Sequence, residues 1–549
     1  MKRITALCLL LTACSPSPSE APASYYGTAE PFASEAVYFV VTDRFVDGDP
    51  GNNQLNQGSG DTATFDRPIH LEGQDEANIG YLGGDFEGIV DNAAYIADMG
   101  FTALWITPIV DNPDEAFLGS TPPGEGMFTD QGKTGYHGYW GVNFFVVDEH
   151  LESEGLSFAD LTATLTKDHG IKTVLDIVGN HGSPAYTNPI EQPKYGEIYS
   201  ADGTLIADHQ NLHPNDLDAD NPLHAFYNNE PDLAQLGDVN PENPAVLEYF
   251  VAAYSQWIDQ GAAAFRVDTI RHMPHSFWKA FSDRIRADNP GFFMFGESFV
   301  YDAARIAEHT YPENGAICVL DFPGQEAMNE VFGGDAPYER LLEYLHLESG
   351  IYQNPYELMT FYDNHDMARM NADTNGFIDA HNWLFTSRGI PVVYYGSEVG
   401  FQAGAREHGG NRNYFGQERV DAAVDHPIRK ALAEIAEVRK RLPALQRGLQ
   451  VNLEFDGDTA AFYRVYQADG QSQTALVLLN KGDGVAEFPA AWLSGLDWED
   501  ELTGEAIDGS AALRVAPHAV SVLSIDRIPD TIDEAMLKSL HAAARRSAN

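Results

Sequence analysis

The residues able to do chemistry fall in four short clusters, each closing an apolar run. They are Asp176-Ile177-Val178-Gly179-Asn180-His181, Phe265 to His272, Gly296-Glu297-Ser298 and Asp363-Asn364-His365-Asp366. In the second cluster, strand alternation puts Arg266 and Asp268 on one side and Phe265 and Val267 on the other. A guanidinium beside a carboxylate favours its ionised form. An ionised carboxylate held rigid is what a covalent nucleophile requires. Glu297 follows Phe292 to Phe295, an apolar run whose low polarity would raise a carboxyl pKa, as a general acid needs. A nucleophile and an acid about 5–5.5 Å apart are the apparatus of retaining glycoside hydrolysis. Taken alone, Arg266 and Asp268 also fit a buried pair that merely ties strand to loop. Four polar clusters at the same ends of their strands argue for a site. The Asn-His pairs at 180–181 and 364–365 are similar to those of two-metal phosphoesterases. That chemistry needs an Asp-x-His and further His ligands at strand ends, and Asp208-His209-Gln210 offers no such frame.

The elements that would position these residues alternate strand and helix. Strands are expected at Val37–Thr42, Ala103–Ile106, Thr173–Val178, Ala262–Val267, Phe292–Phe295, Ile317–Asp321, Leu358–Tyr362 and Pro391–Tyr395. Helices are expected at Phe86–Met99, Phe158–His169, Ala245–Gln260, Ser276–Ala287 and Ile378–Thr386. Eight strands with helices between most of them predict a parallel (β/α)8 TIM barrel, whose sites lie at strand carboxyl ends. An open doubly wound sheet is the alternative, but no Gly-rich phosphate loop follows the first strand. Residues 31–181 and 241–444 would form the barrel. Residues 182–240, rich in Asn, Asp, Pro and His, read as a small domain inserted after the third strand. Short alternating strands at Ala460–Tyr466, Thr474–Leu479 and Val520–Ile525 predict a C-terminal antiparallel β-sandwich over 445–527. A helical tail over 528–549 would follow.

The chain has 549 residues and a formal charge of −49. So acidic a surface is repelled by phosphate backbones, which excludes nucleic acid as a partner, and suits a neutral substrate. Three cysteines at 8, 14 and 318 make no disulfide framework or metal-ligand spacing. Residues 1–13 have the basic start and short apolar run of a secretory signal, too short to span a bilayer. Leu11-Thr12-Ala13-Cys14 resembles the lipobox of bacterial lipoproteins. That resemblance implies a lipid-modified Cys14, membrane attachment through it and, with Ser15 next, outer-membrane sorting. Secretion without a lipid is the alternative. Residues 14–30 are expected to be a flexible tether.

The four clusters, in order and sensibly spaced, resemble the signature regions of the α-amylase family of glycoside hydrolases. Gly100 to Pro108 is similar to that family's second strand, Gly135 to Trp140 to the segment after it, Leu236 to Asn240 to the close of the inserted domain, and Gly389 to Glu398 to the eighth strand. The resemblance covers nearly all of residues 36–526. It implies Asp268 as nucleophile, Glu297 as acid and then base, and Asp366 as the residue that steadies the transition state. It implies that Arg266 holds Asp268 ionised, that His181 and His365 bond the sugar before the scissile bond, and that Tyr139 stacks on it with His137 and Trp140 beside it. Arg271 would lie on the acceptor side, with Ser298 and Phe299. The resemblance breaks at Ala263-Ala264, where the family has Asp-Gly, and at 406–414, which lacks the family's Asp ahead of Asn411-Arg412.

Asp47 to Asn53 packs oxygen ligands about a tight turn, a composition suited to calcium or simply to a solvated turn. With Val41 to Phe45 it resembles the first-strand calcium loop of cyclodextrin glucanotransferases. Asp47, Asp49, Asn52, Asn53, the Gly83 carbonyl and Asp85 would then be ligands of a structural calcium. A second calcium, implied by the wider family, would use Asn180, Asp238 and the His272 carbonyl. The expected activity is endo-hydrolysis of α-1,4 bonds in starch or maltooligosaccharides. A transferase or cyclomaltodextrinase-like enzyme shares the scaffold, and the lack of a recognisable starch-binding segment after the sandwich favours hydrolysis. A glycan receptor on a dead scaffold would have lost a catalytic carboxylate, and Asp268, Glu297 and Asp366 are all present.

Overall fold

Eight short, buried strands form the centre of the computed structural model, which describes residues 24–71, 76–124, 129–402, 407–510 and 512–546. In chain order they are β1 (Val37–Val40), β2 (Ala103–Ile106), β3 (Lys172–Ile177), β4 (Ala262–Val267), β5 (Phe293–Gly296), β6 (Cys318–Val319), β7 (Met359–Thr360) and β8 (Ile390–Tyr394). All pairings are parallel, in the order β6-β5-β4-β3-β2-β1-β8-β7. A parallel bridge from Leu320 to Met359 joins β6 to β7 and closes the barrel. The strands are apolar on both faces because helices cover the outside and side chains fill the inside. The filling is aromatic: Phe39 stacks on Trp105 at 3.7 Å, and Trp105 meets Phe295 edge-on at 5.4 Å.

Helices follow the apolar periodicity, with local stops written in the sequence. The helix Phe158–His169 starts at a Ser157/Asp160 capping box and ends at Gly170, whose φ of 68° is left-handed. The expected helix Phe86–Met99 is instead two, Phe86–Asp91 and Ala93–Asp98. Asn92 breaks it, turning its side-chain amide back to Gly88 O at 2.8 Å and across to Gln417 at 2.9 Å. β6 and β7 are two residues each, shorter than expected.

The inserted segment carries two small antiparallel ribbons, His181–Pro184 with Leu236–Asp238 and Glu197–Tyr199 with Leu205–Asp208. At the other end of the chain, a six-stranded antiparallel sheet spans Leu449 to Ile525, accompanied by a two-stranded ribbon, Ala486–Phe488 with Leu513–Val515. This sheet lies under the amino ends of the barrel strands. Arg464, fully buried, donates to Thr386 O and Ser387 O just before β8, and Gln450 N–H donates to Tyr356 OH just before β7.

The tether expected to run to residue 30 stops earlier. Tyr25 exchanges backbone hydrogen bonds with Gln467, and its hydroxyl donates to Glu534 at 2.9 Å. Arg545, just past the helix Glu534–Ala543, donates to Gly27 O at 3.0 Å. Thr28 donates to Glu357, and Phe32 stacks on Phe293 at 4.4 Å. Two tyrosines and a glycine that fits under the Tyr356 ring give residues 25–28 something to bury, so they pack. Cys14 and the signal segment lie outside the described residues. Among those residues no helix is long and apolar enough to cross a membrane.

Candidate active site

β3 and β4 pair with Asp176 opposite Arg266. Arg266, fully buried, donates to both Asp176 oxygens at 2.9 and 3.1 Å and to Asp268 Oδ1 at 2.7 Å. Its other terminal nitrogen lies 3.6 Å from Glu297 Oε2. Asp176 also accepts from Tyr139 OH at 2.8 Å and Trp105 Nε1 at 3.0 Å, so the aromatic plug of the barrel fixes this hub.

Glu297 reaches Asp268 because β5 ends in a glycine. A Cβ at Gly296 would stand 2.6 Å from Ile270 Cδ1. That closeness lets Glu297 N–H bond Val267 O at 2.9 Å while Ile270 N–H bonds Glu297 O at 3.1 Å. Between them Thr269 sits at φ 48°, a left-handed conformation costly for a β-branched residue, and its N–H points at Glu297 Oε2 at 3.3 Å.

One guanidinium cannot neutralise three carboxylates. Burial pushes the Glu297 pKa up to about 8; the charges of Asp268 and Asp366 add to this, and Arg266 opposes it. Glu297 therefore carries a proton at neutral pH. On the far wall, Asp366 Oδ1 accepts from Arg412 at 2.8 Å, and its Oδ2 lies 3.3 Å from His365 Nε2.

All three carboxylates face one cavity of about 240 Å³. His137, Tyr139, Trp140, His181, Arg271 and His365, each expected at the site from the sequence, line it too, as does His272, which was expected only to offer its carbonyl to calcium. The buried histidines stay neutral: desolvation takes His181 down to about 4 and pushes His137 and His365 well down. His137 Nδ1 accepts from Tyr139 N–H at 3.0 Å, which leaves the proton on Nε2, an atom without a protein partner. Tyr139 has one ring face covered by His365 at 5.3 Å.

The structure adds residues that sequence reasoning missed. Lys133, Glu407 and Arg412 form a nearly buried wall, with Glu407 Oε1 2.6 Å from Lys133 and 2.8 Å from Arg412. Burial raises the Glu407 pKa, but the two cations outweigh it and bring it to about 2. A fixed anion thus stands five residues before Arg412, in the segment where no Asp was found. Leu233 and Leu236 come from the insertion, and Phe299, already expected on the acceptor side, joins them from beyond β5. Asp176 was visible as part of a cluster; only the strand register gives it its role.

The Asp47–Asn53 loop passes a test for a cation. The amide of Asn53 donates to Asp47 Oδ2, and that of Asn52 to Asp85 and to Glu152 O. This leaves Asp47 Oδ1, Asn52 Oδ1 and Asn53 Oδ1 buried without a hydrogen-bond partner. A Cβ at Gly83 would intrude 2.4 Å from Asn53 Oδ1. Unpaired buried carboxylate and amide oxygens on one short loop are the ligand type a hard cation takes. Asp85 is different: its two oxygens accept from Gly48, Gly88, Asp49 and Asn52, tying the loop to the start of the helix Phe86–Asp91. Asp49 accepts from Gly51 N–H at 2.9 Å. At the second expected site, Asn180 Nδ2 lies 3.3 Å from Asp238 Oδ1, and the His272 ring bonds Asp232 at 2.8 Å. Acidic groupings at Asp148, Glu149 and His150, and at Asp111, Asp114 and Glu149, are also close enough to hold a metal.

A closed parallel barrel with clustered carboxylates at its strand carboxyl ends defines a glycoside hydrolase of the α-amylase type. Residues 39–456 match the family model for the alpha amylase catalytic domain, and the chain belongs to that family. It is 30% identical to an alpha-amylase of Niallia circulans over 87% of both chains. It is 29% identical to a cyclomaltodextrin glucanotransferase of Klebsiella oxytoca, over 82% of this chain and 71% of that one. Among solved structures, a three-domain cyclomaltodextrin glucanotransferase, CldA, superposes with a TM-score of 0.73 at 28% identity, covering 90% of this chain and 99% of that one. An alpha-amylase of Geobacillus thermoleovorans, solved with acarbose, superposes at 0.66 with 26% identity, covering 90% and 98%.

Proposed function

We propose that this enzyme is an endo-acting hydrolase of α-1,4-glucosidic bonds in starch and maltooligosaccharides, with retained configuration. The observation that carries the reading is the placement of Asp268 and Glu297 on one guanidinium, opposite Asp366, in one cavity. Asp268 attacks the anomeric carbon while Glu297 gives its proton to the leaving oxygen; the ionised Glu297 then takes a proton from the water that releases the sugar. Asp366, held by Arg412, binds sugar hydroxyls and steadies the positive charge developing on the ring. Neutral His137, His181 and His365 donate hydrogen bonds without competing for the carboxylates. The oxygens of Asp47, Asn52 and Asn53 would hold a calcium ion that braces the first loop, and Asn180 with Asp238 a second that ties the insertion to the rim. The chain is read as exported and anchored by a lipidated Cys14 in the outer membrane.

A glucanotransferase is the second reading, in which a sugar, not water, intercepts the glycosyl-enzyme. Relatives of both names support it, and Phe299 stands at the cavity where an acceptor would lie. The likeness to CldA, a glucanotransferase with a three-domain ABC distribution, adds to this reading. A time course on maltoheptaose, starch, pullulan and cyclodextrins decides. Short linear products with initial α-configuration fit hydrolysis. Cyclic or lengthened products fit transfer, and inverted configuration would overturn both.

A further inference from the structure

We infer that the catalytic mouth points away from the bilayer, and that the membrane-side surface is the amino-end face of the barrel with the C-terminal sheet and helix. This rests on the lipoprotein reading of Cys14. The described chain begins at the face opposite the site. Tyr25 is bridged to Gln467 of the C-terminal sheet, Tyr26 O bonds His541 of the terminal helix at 2.9 Å, and Thr28 bonds Glu357 just ahead of β7. Phe32 then lies on Phe293, the first residue of β5. Asp268, Glu297 and Asp366 all follow the carboxyl ends of their strands. The segment therefore crosses the floor of the barrel, and the site opens through its roof.

Lengths decide what an anchor at Cys14 permits. Ten Cα-to-Cα steps lead from Cys14 to Ser24, a reach of at most about 35 Å even fully extended. A compact chain of this size has a radius of gyration of about 24 Å, hence a diameter of roughly 60 Å. Laying the mouth on the bilayer would lift Tyr25 by about that diameter, beyond the tether's reach. Attachment at the floor costs nothing, leaves the roof in solvent and lets a polymeric glucan approach without meeting the membrane.

The test uses the full-length protein, extracted from membranes and reconstituted in phosphatidylethanolamine–phosphatidylglycerol vesicles containing a headgroup-labelled acceptor lipid. Dyes are placed singly by Met536→Cys on the terminal helix and by Tyr301→Cys beyond β5, both side chains being exposed, while Cys318 stays buried. Energy transfer to the lipid is expected to be several-fold greater from position 536. Equal transfer, or more from 301, overturns the orientation. Mass analysis of the amino-terminal peptide runs alongside. Acyl chains with equal transfer overturn the orientation alone; no acyl chains overturn the lipoprotein reading and the orientation with it. The anchored protein and a soluble Cys14→Ser form are expected to cleave amylopectin at the same rate, and a several-fold deficit on anchoring also counts against the proposal.

Discussion

Replacing Asp268 by Asn keeps the size of the side chain but removes the proposed nucleophile. Turnover is expected to fall on the order of 10⁴-fold or more, with an unchanged circular dichroism spectrum and melting curve near those of the wild type. Activity near wild type would refute the assignment. Glu297 governs the alkaline side. Its proton is needed for the first step, and with a pKa of about 8 the acid form predominates below that pH and drains away above it. The ratio kcat/KM should therefore fall about tenfold per pH unit beyond that point. Stability moves the same way. An unfolded Glu loses its proton near about 4.3, so between that pH and about 8 the folded state binds the extra proton and stability falls as pH rises. Glu297→Gln should flatten the melting temperature across that window. At this scale the sequence was legible where residue type and position coincide, as at Arg266, Asp268, Glu297 and Asp366. Asp176, Lys133 and Glu407 were not, because their roles come from a strand register and from two loops meeting far apart in the chain.

The loop after β1 shows how an element depends on what it encloses. Three buried oxygens without donors make the loop repulsive by itself and attractive once a cation sits among them. Chelation is expected to lower the melting temperature, since a ligand at ~100 times its Kd contributes about 2.7 kcal/mol. Activity assayed promptly at low temperature should survive it, because Asp47, Asn52 and Asn53 do not line the catalytic cavity. Gly83→Ala tests the cradle itself. It forces a methyl against Asn53 Oδ1 at a φ of 90°, and should cost about 1–3 kcal/mol while removing this loop's share of the response to calcium. A variant whose gain from calcium is undiminished would place the ion elsewhere, at Asn180 and Asp238 or at the Asp111, Asp114 and Glu149 grouping. Elements were the most readable level of the chain: a strand buried on both faces is apolar except where a residue such as Asp176 or Arg266 finds a partner inside, and that run of apolar residues is why all eight were found. Their ends were less so. β6 and β7 shrink to two residues because barrel closure, not composition, sets how far neighbouring strands stay in register.

Over the whole molecule the dominant fact is 82 acidic side chains against 33 basic ones. The buried pairs are insulated from salt: Arg388 with Asp321, and Arg266 with Asp176, lie out of reach of solvent. Exposed pairs such as Arg284 with Glu248 are already screened by water, so salt has little to remove from them. The unpaired acids repel one another over the Debye length, about 30 Å at 0.01 M salt and about 10 Å at 0.1 M. Screening thus relieves a repulsion summed over dozens of charges and weakens only a few marginal attractions, so the balance favours the folded state as salt rises. Melting temperature should climb steeply from ~0.01 M salt and level off near ~0.3 M, where the Debye length has fallen to the spacing between neighbouring charges. The measurement is made at saturating calcium, so that site binding is already complete, and with sodium, potassium and lithium chlorides in parallel. Equal curves identify screening. A flat response would mean that the acidic surface is already neutralised by bound counter-ions, and a response to one cation alone would mean that a specific site sets the stability.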